Sequence, residues 1–515
     1  MEGVKNGFCL TDSNVRVSQV EVDNYSSATE NREAVEKQIF EEISEGRYVI
    51  TRNKPTIVSA LGAIPKKSGG IRLIHDCSRP PGQAVNDYAT LSSKVRYQSI
   101  QDASNILKPG SFMAKVDLKS AYRSVKLNPS QYPLTGLKWT FSGHSCSTYM
   151  YDTRLPFGAR FSPGHFHRLT QAVRRSMERR GYQVVAFLDD FLIIHDTKDG
   201  CMEALNYLIT LLRRLGFAIA WDKTLGPSQR LTFLGLQIDS VAYSLSLPED
   251  KVSNLYDLLF SFLHRSRASC RQLQQLAGKL SWAAHVVNGG RIYLQRVLDH
   301  LRPLQKPNHK TRLSPQFKLD IRWWLQFLPV FNCKSLAKPL MPVTELYTDA
   351  CNEGAGMVTP VDWLYVNWAL DYPQIASEHI NVKETMAIVL AAYKLGPTWR
   401  DRLVIVHTDN VTAQTAINKG ICNNLTLRPH LRELFWLSNV YNFHLKAVYI
   451  PGCLNYIADS LSRIHVKSHL LSWYSIVNNN KPLNLGALYT NFTPHMSDLS
   501  WCFIFSQLRD GSNDR

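Results

Sequence analysis

Acidic residues are the scarce charge in this chain: 42 Asp and Glu stand against 59 Lys and Arg, for a formal net charge of +17 over 515 residues. That excess suits a polyanionic partner such as nucleic acid, although solvated surface Lys and Arg would give the same total. Also lacking is any Cys-x-x-Cys pair, because the ten cysteines are scattered from Cys9 to Cys502. Neither a zinc site nor a disulfide framework is expected from that spacing, which fits a reducing compartment. The polar N-terminus has no signal-peptide core, and no apolar run reaches membrane-spanning length. The expectation is an intracellular protein without a membrane partner, cytoplasmic with access to the nucleus. Its length implies three or four domains.

Where acids are few, their clustering is informative. Val184-Val-Ala-Phe-Leu-Asp-Asp-Phe-Leu-Ile-Ile-His195 places Asp189 and Asp190 between two apolar runs, the pattern of a tight hairpin. Asp suits any turn. Here, however, the flanking Phe187, Leu188, Phe191 and Leu192 call for cover on both faces, drawing two carboxylates towards low dielectric. Adjacent buried anions take up protons unless a cation neutralises them, and Mg²⁺ needs few carboxylates when phosphates complete its shell.

Three upstream stretches could serve such a site. Lys66 and Arg72 lie on the arms of a basic hairpin around Lys-Ser-Gly-Gly and could grip phosphates, or simply face solvent. Asp117 ends a strand that steps into a helical turn carrying Tyr122, and alone would read as a cap. Leu155-Pro-Phe-Gly-Ala-Arg-Phe-Ser-Pro163 opens a helix running through Met177, with Gly158 permitting close backbone approach. Downstream come a helix from Met202 to Gly216, a strand over Phe217–Lys223 and a hairpin over Leu231–Asp239. Residues 248–301 read as basic helices with interleaved aromatics, suited to a nucleic-acid track or to a charged bundle face. Pro-containing joints flank a Trp323-Trp324 helix.

A second set of acids follows. Asp349 and Asp409 end strands, Glu384 lies on an apolar helix, and Asp459 sits at a helix start. A Gly354-Ala-Gly356 turn is expected after the first strand. Each acid singly has a cap or surface reading, but four in a mixed α/β pattern make a candidate metal cage.

In order, the basic hairpin, strand-Asp, Phe-Gly-x-x-x-Ser-Pro, Asp-Asp, Gly-Phe…Lys and Phe-Leu-Gly resemble the fingers and palm of reverse transcriptases. The later Thr-Asp…Glu…Thr-Asp-Asn…Ala-Asp-x-Leu-Ser-Arg series resembles a retroelement ribonuclease H. Together they cover roughly residues 55–465. The finer texture, with Leu-Pro-Phe-Gly-Ala-Arg-Phe-Ser-Pro, Phe-Leu-Asp-Asp and the Trp-Trp helix, is most similar to the DIRS-type, tyrosine-recombinase retrotransposons; no protease, integrase or recombinase pattern accompanies these domains.

The resemblance implies α/β and α+β domains: a polar extension over 1–54, fingers and palm over 55–240, a helical thumb over 241–302, a connection over 303–343, a mixed-sheet ribonuclease H domain over 344–465, and a tail over 466–515 to which no role attaches. It assigns Asp117, Asp189 and Asp190 to two Mg²⁺ for polymerisation, and Asp349, Glu384, Asp409 and Asp459 to two Mg²⁺ for hybrid cleavage, with Mn²⁺ able to substitute. Lys66, Arg72 and Lys223 would meet triphosphate charge, and Tyr122 would select deoxyribose. Gly158, Phe161 and Ser162 would line the template and nucleotide side, Phe233 and Gly235 would grip the primer, and Asn410 and Asn455 would support the nuclease site. The implied partners are RNA template, DNA primer, RNA–DNA hybrid and dNTPs; the sequence carries no signal for an oligomeric state. Two departures stand out. Phe187 occupies a position where many retroviral enzymes carry Tyr, and the loop from Pro451 to Asp459 lacks the histidine of retroviral ribonucleases H. The alternatives are a non-catalytic nucleic-acid scaffold or a polymerase with an inactive ribonuclease H; Tyr122 disfavours an RNA-making enzyme.

Overall fold

The computed structural model describes residues 2–11, 17–66, 69–89, 95–336 and 342–479, and the chain divides after Tyr243 into two compact units. No described helix is long and apolar enough to cross a membrane.

In the first unit, helix α1 (Arg32–Ser44) buries Val35 and Ile39 against Leu61, Ala63 and Leu73 of an antiparallel hairpin, β1 (Ala60–Pro65) and β2 (Ile71–Asp76). The N-terminal stretch, to which the sequence assigned no chemistry, is thus one wall of a core. Its Glu42 is buried and accepts from Arg123 Nε and Nη2 at 3.1 and 2.7 Å, while Asp152 takes the Nη1 of the same guanidinium. Two carboxylates around one buried cation leave no net uncompensated positive charge inside. Glycines at positive φ, Gly69 and Gly70, make the hairpin turn. Lys67 and Ser68, expected in that turn, lie outside the described residues.

An antiparallel sheet follows, built from β3 (Phe112–Asp117), β4 (Gln183–Phe187), β5 (Asp190–His195) and β6 (Leu225–Ser228) in the order β6-β3-β5-β4. Its strands are short and apolar because helices cover them. Helix α2 (Ser162–Glu178) contributes Phe166, Val173 and Met177, and α3 (Lys198–Arg214) contributes Cys201, Ala204, Leu205, Leu208 and Leu212 at helical spacing. The strand expected over Phe217–Lys223 is not formed. Ile219 makes one bridge to Leu118, and Trp221–Lys223 then coils into a 3₁₀ turn. Hydrogen bonds from Lys119 N to Ala218 O (2.8 Å) and from Ala220 N to Asp117 O (2.8 Å) hold the segment beside the end of β3, so it kinks instead of extending. A hairpin of β7 (Arg230–Phe233) and β8 (Leu236–Asp239) ends this unit.

The second unit opens with helices α4 (Glu249–His264), α5 (Cys270–Ala283), α6 (Gly290–Leu301) and α7 (Pro315–Phe331). Next comes a five-stranded sheet of β9 (Val343–Ala350), β10 (Gly354–Val358), β11 (Trp363–Asn367), β12 (Leu403–Thr408) and β13 (His444–Tyr449), ordered β11-β10-β9-β12-β13. The first three strands are antiparallel, whereas β9, β12 and β13 run parallel. Parallel pairs need crossovers. These are α8 (Ile380–Leu395), then α9 (Val411–Lys419) with α10 (Arg428–Val440). The helical part and the sheet part are joined inside this unit. Asp320 of α7, fully buried, pairs with Arg296 of α6 (3.0 Å) and with Arg432 of α10, and the rings of Tyr293 and Trp323 stack at 3.9 Å.

One expectation is corrected here. Gly354 and Gly356 lie within β10, not in a turn; the turn is Cys351–Glu353. Gly356 is required because a Cβ there would sit 2.6 Å from Ala458 O and 2.7 Å from Ser462 N of helix α11 (Tyr456–Ser462), which lies on the strand. After Ile464 the chain packs back on the sheet edge. Helix α12 (Lys467–Asn479) buries Trp473 against Trp363 and Leu461. Trp501–Phe505 lie outside the described residues.

Candidate active sites

The first acidic cluster is a product of strand register. β3 and β5 pair so that Asp117 lies opposite Asp190, and Phe187 pairs with Asp190 across a two-residue turn of Leu188 and Asp189. Leu188 takes positive φ, as such tight turns demand. Asp189 O accepts from Leu118 N at 3.0 Å, which ties the turn to the chain leaving β3. All three acids therefore gather at one sheet end. Their roles diverge there. Lys115 Nζ lies 2.9 Å from Asp190, whereas the ion-pair partner of Asp117 among the described residues is the more distant Lys223 Nζ at 3.5 Å. Asp117 and Asp189 line a cavity of about 1070 Å³; Asp190 does not. Burial raises the pKa of both lining acids, and the neighbouring Asp190 adds to each shift.

Lys66, Arg72, Tyr122 and Lys223 line the same cavity. Exposed Lys66 and Arg72 reach it from the β1–β2 hairpin and have no ion-pair partner among the described residues. Tyr122 packs on Phe157 (5.1 Å between centroids) and edge-on to Phe166 (5.3 Å); burial, then Asp189, pushes its hydroxyl up to about 12. It stays a neutral phenol at working pH.

Gly158 is needed for space. A Cβ there would lie 2.1 Å from the His75 carbonyl oxygen. Asn86, which the sequence did not single out, fixes this loop: its Nδ2 donates to Gly158 O at 2.9 Å and its Oδ1 accepts from Arg160 N at 2.6 Å. We expect Gly158→Ala to cost about 1–3 kcal/mol, read as a lowered thermal unfolding midpoint. Phe161 is half-buried and edge-on to His165 at 5.7 Å. Ser162 and Phe233 depart from their expected roles. Ser162 is fully buried, its hydroxyl donating to Pro156 O at 2.8 Å, so it braces the loop and shows a ligand no surface. Phe233 is fully buried in the core, so its ring offers no surface to a ligand, and Leu234 and Gly235 of the β7–β8 turn take positive φ.

The second cluster lies at the β9–β12 end of the five-stranded sheet. Asp349 on β9, Glu384 on α8 and Asp409 just past β12 offer carboxylate oxygens that all lie within 4.8 Å of one another. Glu384 Oε1 accepts from Ala350 N at 3.2 Å, but Oε2 is buried with no hydrogen-bond partner among the described residues. Burial, then Asp349 and Asp409, drives the Glu384 pKa well above the carboxylate range. Burial likewise lifts Asp349 to about 6, despite the Ser462 hydroxyl donating to it, and raises Asp409. A buried carboxylate oxygen without a donor, aimed among two more acids, fits a hard divalent cation. Asp459 stands apart from this trio, paired with Arg463 (2.7 Å) and 3.6 Å from His469 Nδ1. Asn455 is buried and donates to Thr348 O at 2.9 Å, anchoring α11 to β9, while Asn410 caps α9 through Ala413 N and donates to Asn381.

The raised pKa values have a definite sign. Acids with folded-state values above the unfolded ones stabilise the fold at low pH and lose that contribution as pH rises through the folded value. For Asp349, from 3.8 to about 6, this is on the order of 3 kcal/mol. Metal-free protein should therefore lose thermal stability as pH rises from about 4 towards 7 at this site, and Mg²⁺ should raise the midpoint more at pH 8 than at pH 5. A Mg²⁺ effect equal at both pH values would count against the cluster as a cation site.

Comparison with known proteins bears on the first site. Residues 64–238 match the family model "Reverse transcriptase (RNA-dependent DNA polymerase)". The chain carries a reverse transcriptase domain. The kind is that of viral and retroelement polyproteins. It is 21% identical over 450 residues to the enzymatic polyprotein of Cauliflower mosaic virus (strain Strasbourg), covering 84% of this chain and 61% of the viral one. It is 22% identical over 380 residues to the genome polyprotein of Petunia vein clearing virus (isolate Shepherd), covering 71% of this chain but 16% of that polyprotein. The chain thus spans less than two thirds of these relatives. Among solved structures, it resembles the foamy viral protease-reverse transcriptase in complex with an RNA/DNA hybrid (TM-score 0.56, 13% identity, 86% of this chain and 56% of that one). It also resembles the dsDNA complex of that protein (TM-score 0.55, 14% identity, 85% and 87%). This likeness is one of fold: a polymerase body followed by a ribonuclease H-like domain.

Proposed function

We propose that this reverse transcriptase copies RNA into DNA at the Asp117–Asp189 cavity and cleaves the RNA strand of the resulting hybrid at the Asp349–Glu384–Asp409 cluster. The carrying observation is the cavity itself, which sets two carboxylates with raised pKa against Lys66, Arg72 and Lys223 on its other walls. Acids on one side and cations on the other, of which Lys66 and Arg72 have no ion-pair partner among the described residues, suit a nucleoside triphosphate. When bound, Mg²⁺ supplies Lewis acidity at the primer 3′-hydroxyl and at the scissile phosphate of the hybrid, and neutralises phosphate charge. Asp117 and Asp189 would hold it in the first site, with Asp190 set back against Lys115; Asp349, Glu384 and Asp409 would hold it in the second, with Asp459 at its edge. Lys66 and Arg72 would bear on β- and γ-phosphates, and Lys223 on the leaving pyrophosphate.

The working divisions would be fingers and palm over 55–240, thumb over 241–302, connection over 303–343 and nuclease over 344–465. The DIRS-type assignment rests on Leu155–Pro163, Phe187–Asp190 and the Trp323-Trp324 helix. Tyr122 would close the floor beneath the sugar; Tyr122→Ala should raise ribonucleotide incorporation relative to deoxyribonucleotide by on the order of 10²-fold, measured in paired single-nucleotide extensions. The direct test is extension of a DNA primer on labelled RNA with Mg²⁺ and dNTPs, following both product and template. Binding of the hybrid without either reaction would replace this reading with that of a non-catalytic scaffold.

A further inference from the structure

The turn after β9 carries a second, chemically different set of ligands. Cys351 Sγ, a Glu353 carboxylate oxygen and a His465 ring nitrogen all lie within 4.8 Å of one another. Cys351 and Glu353 come from the β9–β10 turn, and His465 from the link between α11 and α12. We propose that these three residues bind Zn²⁺ and thereby clip the start of the C-terminal helix to the sheet edge. Their spacing, two residues and then 112 more, resembles no zinc motif, which is why the sequence suggested none.

Three features favour this ion. Thiolate, imidazole and carboxylate together are softer than the all-oxygen trio nearby, so the two sites select different metals. Tetrahedral Zn²⁺ with bonds of about 2.0–2.3 Å needs donor atoms about 3.3–3.8 Å apart, and Glu353 Oε2 and His465 Nε2 already lie 3.6 Å apart. The sulfur also accepts a hydrogen bond from Gly354 N at 3.3 Å, an outer-shell donor of the kind that stabilises a metal-bound thiolate. Cys351 is buried while Glu353 and His465 are exposed, leaving the outer side open for a water as fourth ligand. In the metal-free protein the thiol donates to Ser462 O at 3.2 Å; loading breaks that bond, releases the thiol proton to solvent and forms the sulfur–zinc bond. His465 follows α11 directly, so the clip would also hold in place the helix whose Ser462 donates to Asp349 of the acidic cluster.

The test is Co²⁺ titration of chelator-stripped full-length protein in excess Mg²⁺. A thiolate-to-cobalt charge-transfer band should saturate at one equivalent and be bleached by Zn²⁺. Cys351→Ser should remove the band. Glu353→Gln and His465→Gln, at exposed positions that spare the core, should each weaken Co²⁺ binding by at least about tenfold, and Asp409→Asn should leave it unchanged. Absence of the band in wild type overturns the proposal. So does a band that survives Cys351→Ser, as it would if exposed Cys9, Cys146, Cys333 or Cys453 were the ligand, or unchanged affinity in both exposed variants.

Discussion

Asp189→Asn is expected to reduce primer extension by on the order of 10³-fold while leaving template cleavage intact. The substitution keeps size and shape and removes one charge. The turn should survive it, because Asp189 is held through its backbone oxygen by Leu118 N, not through its carboxylate. What disappears is one of the two lining acids at the cavity, leaving Asp117 and the Lys223 cation facing the phosphates unbalanced. Asp190→Asn provides the internal contrast. Its carboxylate is set against Lys115 and lies off the cavity, so its loss should act through the position of Lys115 and cost less than the loss of Asp189. Equal losses in the two variants would show that the adjacent acids serve as one unit. Extension surviving in Asp189→Asn would remove the polymerase reading from this cavity.

What could be read from the chain was local and periodic. The two apolar runs flanking Asp189 and Asp190 implied a hairpin, and Gly216, found at positive φ, did mark the end of α3. The candidate acids stood out because Asp117, Asp349 and Asp409 lie at strand ends, Asp189 and Asp190 between two apolar runs, and Glu384 on an apolar helix. Long-range partnerships were not. Nothing near Arg123 announces that Glu42, 81 residues earlier, is its buried counter-ion. Side-chain direction was equally hidden: Ser162 and Phe233 fall within recognisable motifs, yet both turn inward, because a hydroxyl beside Pro156 O and a ring above a tight turn are better satisfied by the core than by solvent. The Gly354–Gly356 pair was misplaced for a related reason. Glycine is as useful for letting a helix lie on a strand as for turning a chain, and only the position of α11 distinguishes the two.

Glu384→Gln should separate catalysis from stability in the second site, moving them in opposite directions. Cleavage of the RNA strand should fall by on the order of 10³-fold, because the acid central to the trio can no longer hold a cation. Metal-free protein, by contrast, should become more stable at pH 8. In wild type the Glu384 carboxyl is buried between Asp349 and Asp409 with Oε2 unpaired among the described residues, and its raised pKa means that the site costs stability once pH exceeds the ordinary carboxylate range. The amide carries no charge and points its donors at two acceptor carboxylates. The gain should shrink as pH falls, since the wild-type carboxyl is then protonated and neutral as well. Added Mg²⁺ should stabilise wild type and have little effect on the variant, so the two melting curves cross over as Mg²⁺ is titrated. A variant that is less stable at every pH would mean Glu384 is a structural residue whose charge is already compensated. Unchanged cleavage with raised stability would move the cation-holding role to Asp349, Asp409 and Asp459, and would require Arg463 to release Asp459 from their 2.7 Å pair.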